Sequence, residues 1–289
     1  MTRRRLATVL VAAALLSGCA AEAAPPKKSE AEAFPPPEPA PQARSLAFPF
    51  SAYLLNDSET HLTYRATDLL IRACMGERGH AWADVPLPDV DDAWRNRLHY
   101  GVIEPEVARR YGYRPPPDLL APAPVREAVE AMRQRDARTP QAAREPAEQC
   151  RQQAKDRLTR NATASFAKLN DAKADTYEAA QRDPAVTDGF RRWSACMKER
   201  GHAYGSPKET GDDARWADRE EDAPASGEEE RTARDDVACK ESTGLVAVWF
   251  GAEKRLQEEA VRADADYFAA LKAANDQYLR NAREVLAGG

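Results

Sequence analysis

The chain is expected to fold as an all-α protein built from two duplicated helical halves. Three observations predict this: a nine-residue motif that occurs twice, apolar stripes at helical spacing around each copy, and a composition after residue 125 dominated by alanine, glutamate, arginine and glutamine. Such residues favour long helices over sheets. Cys74-Met-Gly-Glu-Arg-Gly-His-Ala-Trp82 and Cys196-Met-Lys-Glu-Arg-Gly-His-Ala-Tyr204 agree at seven of nine positions, at an offset of 122 residues, and Ala73 and Ala195 extend the match. That agreement marks an internal duplication. Each half is expected to hold a short helix linked by a disulfide to a long one, the long helices packing as a hairpin or bundle.

Residues 1–18 read as a signal peptide, with Arg3, Arg4 and Arg5, an apolar run over residues 6–16, and small residues before Cys19. The run is shorter than the roughly 20 residues needed to span a bilayer. Leu16-Ser17-Gly18-Cys19 resembles the lipobox of bacterial lipoproteins. The resemblance implies cleavage before Cys19, acylation of its thiol with palmitate-type chains, and anchorage on the extracytoplasmic face of the cell membrane. Two chains hold stably where one leaves readily. Residues 19–47 follow as a lipid-anchored Pro/Ala-rich tether, with Pro25-Pro26, Pro35-Pro36-Pro37, Pro39 and Pro41 along it. With so little apolar surface to bury, this segment is expected to be disordered and extended.

The first half is expected over residues 48–182. Its short helix opens near Ser58 and carries Leu62, Ala66, Leu69, Leu70 and Ala73 at helical spacing. A Pro- and aromatic-rich connector then runs from about Asp84 to Pro124, and a long helix reaches from near Cys150 to about Gln181. The second half spans residues 183–289. Asp183-Pro184 pairs a capping residue with proline at the first helical position, ahead of Val186, Phe190, Trp193 and Met197. An acidic connector covers about Ser206 to Asp236. Beyond Cys239 a long helix is expected to reach Leu286, with Trp249, Leu256, Ala260, Ala263, Tyr267, Leu271, Ala274 and Tyr278 as its seam. Gly79 and Gly201 fall where a left-handed residue ends each motif helix.

With Cys19 assigned to lipid, Cys74, Cys150, Cys196 and Cys239 remain, and four thiols allow three pairings. The duplication favours Cys74–Cys150 and Cys196–Cys239. The alternative is a soft-metal or other ligand site using Cys74, Met75, His80, Cys196, Met197 and His202, whose donors suit copper-like ions. The spacing matches no standard zinc pattern, so no metal or other cofactor is expected. Trp94, Tyr100, Tyr111 and Tyr113 form an aromatic cluster in the first connector and are the candidate interaction surface.

Removing residues 1–18 leaves 39 basic against 47 acidic residues, a balance that argues against a nucleic-acid partner. No nucleophile elbow, metalloprotease helix, phosphate loop or dinucleotide fingerprint is present. The lipobox, tether and paired Cys-Met-x-Glu-Arg-Gly segments together resemble actinobacterial, Streptomyces-like secreted lipoproteins, a resemblance that implies no activity or catalytic residues. The expected protein is not an enzyme. It is a lipid-anchored helical module of the cell envelope that binds another envelope or secreted protein, or plays a structural part.

Overall fold

A computed structural model describes residues 36–88, 94–220 and 223–288, so Cys19, the lipobox and the first part of the expected tether lie outside the described residues. Among the described residues the secondary structure is helical, with no strand.

Residues 36–47, expected to complete the disordered tether, are packed. Pro41 opens a single turn, α1 (Pro41–Arg44), Ala43 and Leu46 are buried, and the Ala40 N–H donates to Glu104 Oε2 at 2.6 Å. Leu46 and Phe48 supply the apolar grip that a run of prolines and alanines does not.

The first motif helix, α2 (Asp57–Glu77), starts before Ser58. Asn56 caps it by accepting from the Glu59 N–H at 2.7 Å, while the Glu59 carboxylate accepts from the Asn56 N–H at 3.0 Å. This reciprocal pair satisfies two donors that a helix start otherwise leaves without partners. The first connector is itself partly helical, with α3 (Pro105–Tyr111) and a 3-10 turn (Pro117–Leu120), and a further helix that was not expected, α4 (Ala123–Arg138), follows it. Cys150 sits in the middle of α5 (Gln141–Leu158), and α6 (Ala167–Gln181) is a separate helix. The expected continuous helix breaks at the Thr-, Asn- and Ser-rich stretch 159–166, where Asn161 takes φ 59°. These side chains compete with helix for backbone hydrogen bonds.

The second half repeats the plan. α7 (Pro184–Glu199) is capped by Asp183, which accepts from the Ala185 N–H at 2.8 Å. Short helices α8 (Pro207–Gly211) and α9 (Ala214–Ala217) occupy the acidic connector, and α10 (Gly227–Thr243) starts within it, so Cys239 lies well inside its helix. Gly244, at φ 66°, ends α10, and Asp264 ends α11 (Leu245–Ala263) before α12 (Ala265–Gly288). The expected long C-terminal helix is therefore three helices, cut once by a left-handed glycine.

The halves interlock. α2 packs on α5 and α12, while α7 packs on α10 and α11. α3 and α6, both from the first half, pack on α10 and α11 of the second. The two motif helices build matching small cores. Ile71, Met75 and Trp82 gather on Cys150 in one, and Trp193, Met197 and Tyr204 on Cys239 in the other. Each of these three pairs is 122 residues apart, so the duplication is one of packing as well as of sequence.

Candidate functional site

Both motifs end in the same turn. The His80 N–H donates to Met75 O at 2.9 Å and the Gly79 N–H to Gly76 O at 3.0 Å; His202 and Gly201 make the same bonds to Met197 and Lys198 at 2.9 and 3.0 Å. Gly79 and Gly201 take φ 75° and 90°, a conformation that costs glycine little and other residues more. Just before these turns, Cys74 is bonded to Cys150 and Cys196 to Cys239, each pair with Cα atoms 5.7 Å apart. The pairing follows the duplication. It indicates an oxidising, extracytoplasmic compartment. Among the described residues no helix is long and apolar enough to cross a membrane.

These bonds consume the thiolates of the alternative metal site. Met75 and Met197 are fully buried in the two cores, and His202 Nε2 lies 2.9 Å from Asp235 Oδ2. Cys74, Met75 and His80 therefore do not converge as ligands, nor do Cys196, Met197 and His202. Among the described residues no cluster of three His, Cys, Asp or Glu is placed to hold a metal ion.

The two copies differ around their bridges. In the second, Arg200 donates to Asp235 at 2.8 Å beside His202. Partial burial pushes the Asp235 carboxyl up, but the His202 and Arg200 hydrogen bonds and charges outweigh it and hold the group below its ordinary range. Counting back from the bridged cysteines, Pro146 occupies the corresponding place in the first copy, and Arg78 instead donates to Gln149. Asp236 and Lys240 form a buried pair at 2.9 Å, with Trp193 Nε1 donating to Asp236 and Lys240 to Val102 O. Ala147 and Arg151 stand in their places in the first copy. Burial raises the Asp236 carboxyl against the pull of Lys240.

The aromatic cluster of the first connector is core, not an exposed interaction surface. Trp94 and Tyr100 are buried. Tyr111 and Tyr113 pack with Val107 and Val237, and Tyr113 also stacks on Trp216 with ring centroids 5.5 Å apart. The connector is long because it covers α10, whose apolar side would otherwise face water.

It also covers carboxylates that the sequence reading missed. Arg97 grips Glu104 with two hydrogen bonds, at 2.5 and 3.1 Å. Glu229 receives two from Arg219, at 3.0 and 3.1 Å, and one from the Tyr113 N–H at 3.0 Å. Glu253 accepts from Tyr100 at 2.8 Å and Gln257 at 3.0 Å, with His99 Nε2 2.9 Å away. Burial, reinforced by the Glu253 charge, raises the Tyr100 hydroxyl well above its ordinary range. Glu253 had a signal, since it falls on the helical repeat between Trp249 and Leu256. Glu104 and Glu229 had none: Arg97 and Arg219 lie only 7 and 10 residues away but across irregular chain where no periodicity pairs them, and the backbone donors Ala40 and Tyr113 come from 64 and 116 residues away.

A different environment lies between α2 and α4. A groove of about 680 Å³ runs past Tyr64, Arg65, Asp68 and Met132, and a hollow of about 220 Å³ continues it past His61, Val125 and Val129. Its sides mix apolar groups with arginines and with Asp68, Asp84 and Asp136, in pairs more open to solvent than those of the interior.

Comparison with known proteins gives no match to this chain among family models, curated proteins or solved structures.

Proposed function

We propose that the chain is a lipoprotein held through Cys19 on the extracytoplasmic face of the cell membrane, its folded body acting as a non-catalytic binding or structural module of the envelope. The observation that carries the reading is the pair of disulfides formed within the duplicated motifs. They fit an oxidising compartment, and they leave Cys19 as the one cysteine outside the bridges, in the sequence context of a lipobox. The interior supports a non-catalytic role. Glu104, Glu229, Asp236 and Glu253 are buried and hydrogen-bonded to side chains of the body itself, which turns these groups to holding connector and helices together.

Fractionation of cells expressing the full chain, with and without Cys19→Ala, tests the anchor. The unaltered protein is expected in the membrane fraction and in the detergent phase, with an N-terminal peptide carrying acyl mass on Cys19; the variant is expected to leave the membrane. An unmodified Cys19 in the membrane-bound protein would overturn the reading.

A further inference from the structure

The groove between α2 and α4 has the features of a ligand site. α4 is held at its C-terminal end, where Arg135 pairs with Asp68 at 2.6 Å and Arg151 reaches Asp136 at 3.2 Å. Upstream of that clamp the helix is loosely packed, with Ala128 its single buried residue. Val125, Val129 and Met132, spaced four and three residues apart, make one apolar stripe on α4, and all three line the gap. Tyr64 of α2 lines it too. Tyr64 is 54% exposed and Val129 37%, two of the few large apolar side chains left in water among the described residues. Contiguous apolar exposure of this kind marks a binding surface more often than a monomer's ordinary exterior.

The charge of the lining gives the chemistry of the occupant. Arg65, Arg72, Arg133, Arg135 and Arg151 border the groove and its continuation, against Asp68, Asp84 and Asp136. Among the described residues the lining is net positive, on a chain of formal net charge −5. Arg135 is committed to Asp68 and lies over the Trp82 ring at 4.2 Å. Arg65 has no ion pair or hydrogen bond among the described residues, and Arg72 meets Asp84 at 3.3 Å in a solvent-exposed pair. Arginine binds carboxylates through two parallel donors. The shape argues for a small molecule. About 680 Å³ falls within the roughly 300–1,000 Å³ of small-ligand sites.

We propose that this groove binds a long-chain fatty acid, its hydrocarbon chain along Tyr64, Val125, Val129 and Met132 and its carboxylate on Arg65 and Arg72. The inference deepens the binding-module reading and rests on it. It assigns the module a ligand class drawn from membrane lipid.

Calorimetric titration of the purified chain carrying Cys19→Ala, which removes the proposed anchor and nothing from the groove, tests it with saturated fatty acids of graded length and with hexadecanol. Palmitate is expected to bind one to one, with affinity falling about fourfold for each methylene removed. Arg65→Glu with Arg72→Glu is expected to weaken palmitate at least tenfold and to spare hexadecanol. Val129→Asp, at an exposed position where folding is preserved, is expected to abolish both. Absence of saturable palmitate binding, hexadecanol bound as tightly as palmitate, or affinity unchanged by Val129→Asp would each overturn the proposal. So would a dimer lost on Val129→Asp in a protein that takes up no fatty acid, because a second copy would then fill the groove. None of these outcomes bears on the anchor, which Cys19→Ala has already removed.

Discussion

Single residues carry much of the contact between the first connector and the second half, and Gly112 shows how tightly. It takes φ 61°, and a Cβ there would lie 2.7 Å from Glu229 Cδ and 2.8 Å from its Cγ. Glu229 has no room to yield, being fully buried and held by Arg219 and by the Tyr113 N–H. Gly112→Ala combines a backbone at φ 61° and ψ −129°, outside the left-handed helical well and costing a side chain roughly 1–3 kcal/mol, with displacement of a buried ion pair. A loss of about 3 kcal/mol is expected, read as a lower urea midpoint with an unchanged slope. Gly79→Ala makes the contrast, since no atom would lie within 4 Å of its Cβ. It should cost only the backbone part of that loss.

At the scale of elements, each disulfide staples two helices that already share a small core, Ile71 and Met75 against Ala147 and Ala154 in the first half and Trp193 and Met197 against Cys239 in the second. Closing loops of 76 and 43 residues stabilises the fold by about 4 kcal/mol each in the chain-entropy account. Replacing Cys74 and Cys150 together by alanine, or Cys196 and Cys239 together, is expected to lower stability by that order in chemical denaturation. Alkylation of the unreduced protein should find none of these four thiols reactive. The bridges, motif helices and terminating glycines were legible in the sequence because the duplication displays each of them twice and each rests on local chemistry. The helix breaks at Asn161 and Asp264 were not legible. There the apolar period continues across the gap, from Leu158 towards Leu169 and from Ala260 towards Tyr267, and periodicity alone does not separate one helix from two. The packing of residues 36–47 was hidden for a related reason: a proline-rich composition reports the lack of local structure, whereas Ala40 is held by Glu104 from 64 residues away. The groove between α2 and α4 was equally invisible, because no helix was expected over residues 123–138 and nothing in that stretch names α2 as its neighbour.

For the whole molecule, the duplication did not produce two independent domains. α12, the last helix, packs on α2 and α5 of the first half, where Ala66, Leu158 and Ala282 share one buried cluster. In the other direction, α3 and α6 cover α10 and α11, and the buried bonds from Lys240 to Val102 and from Tyr100 to Glu253 cross between halves. Each half thus leaves apolar helix faces and buried charges exposed when its counterpart is removed, and such charges are costly without their partners. Residues 48–182 and 183–289, expressed separately, are therefore expected to keep their disulfides and much of their far-ultraviolet helical signal, yet to bind hydrophobic dye and lose a sharp thermal transition. The intact chain should unfold in one transition, with helical and aromatic signals coinciding. A cooperative melt from either isolated half would show that the repeats fold independently, and would place the interlocking contacts among interactions between finished domains.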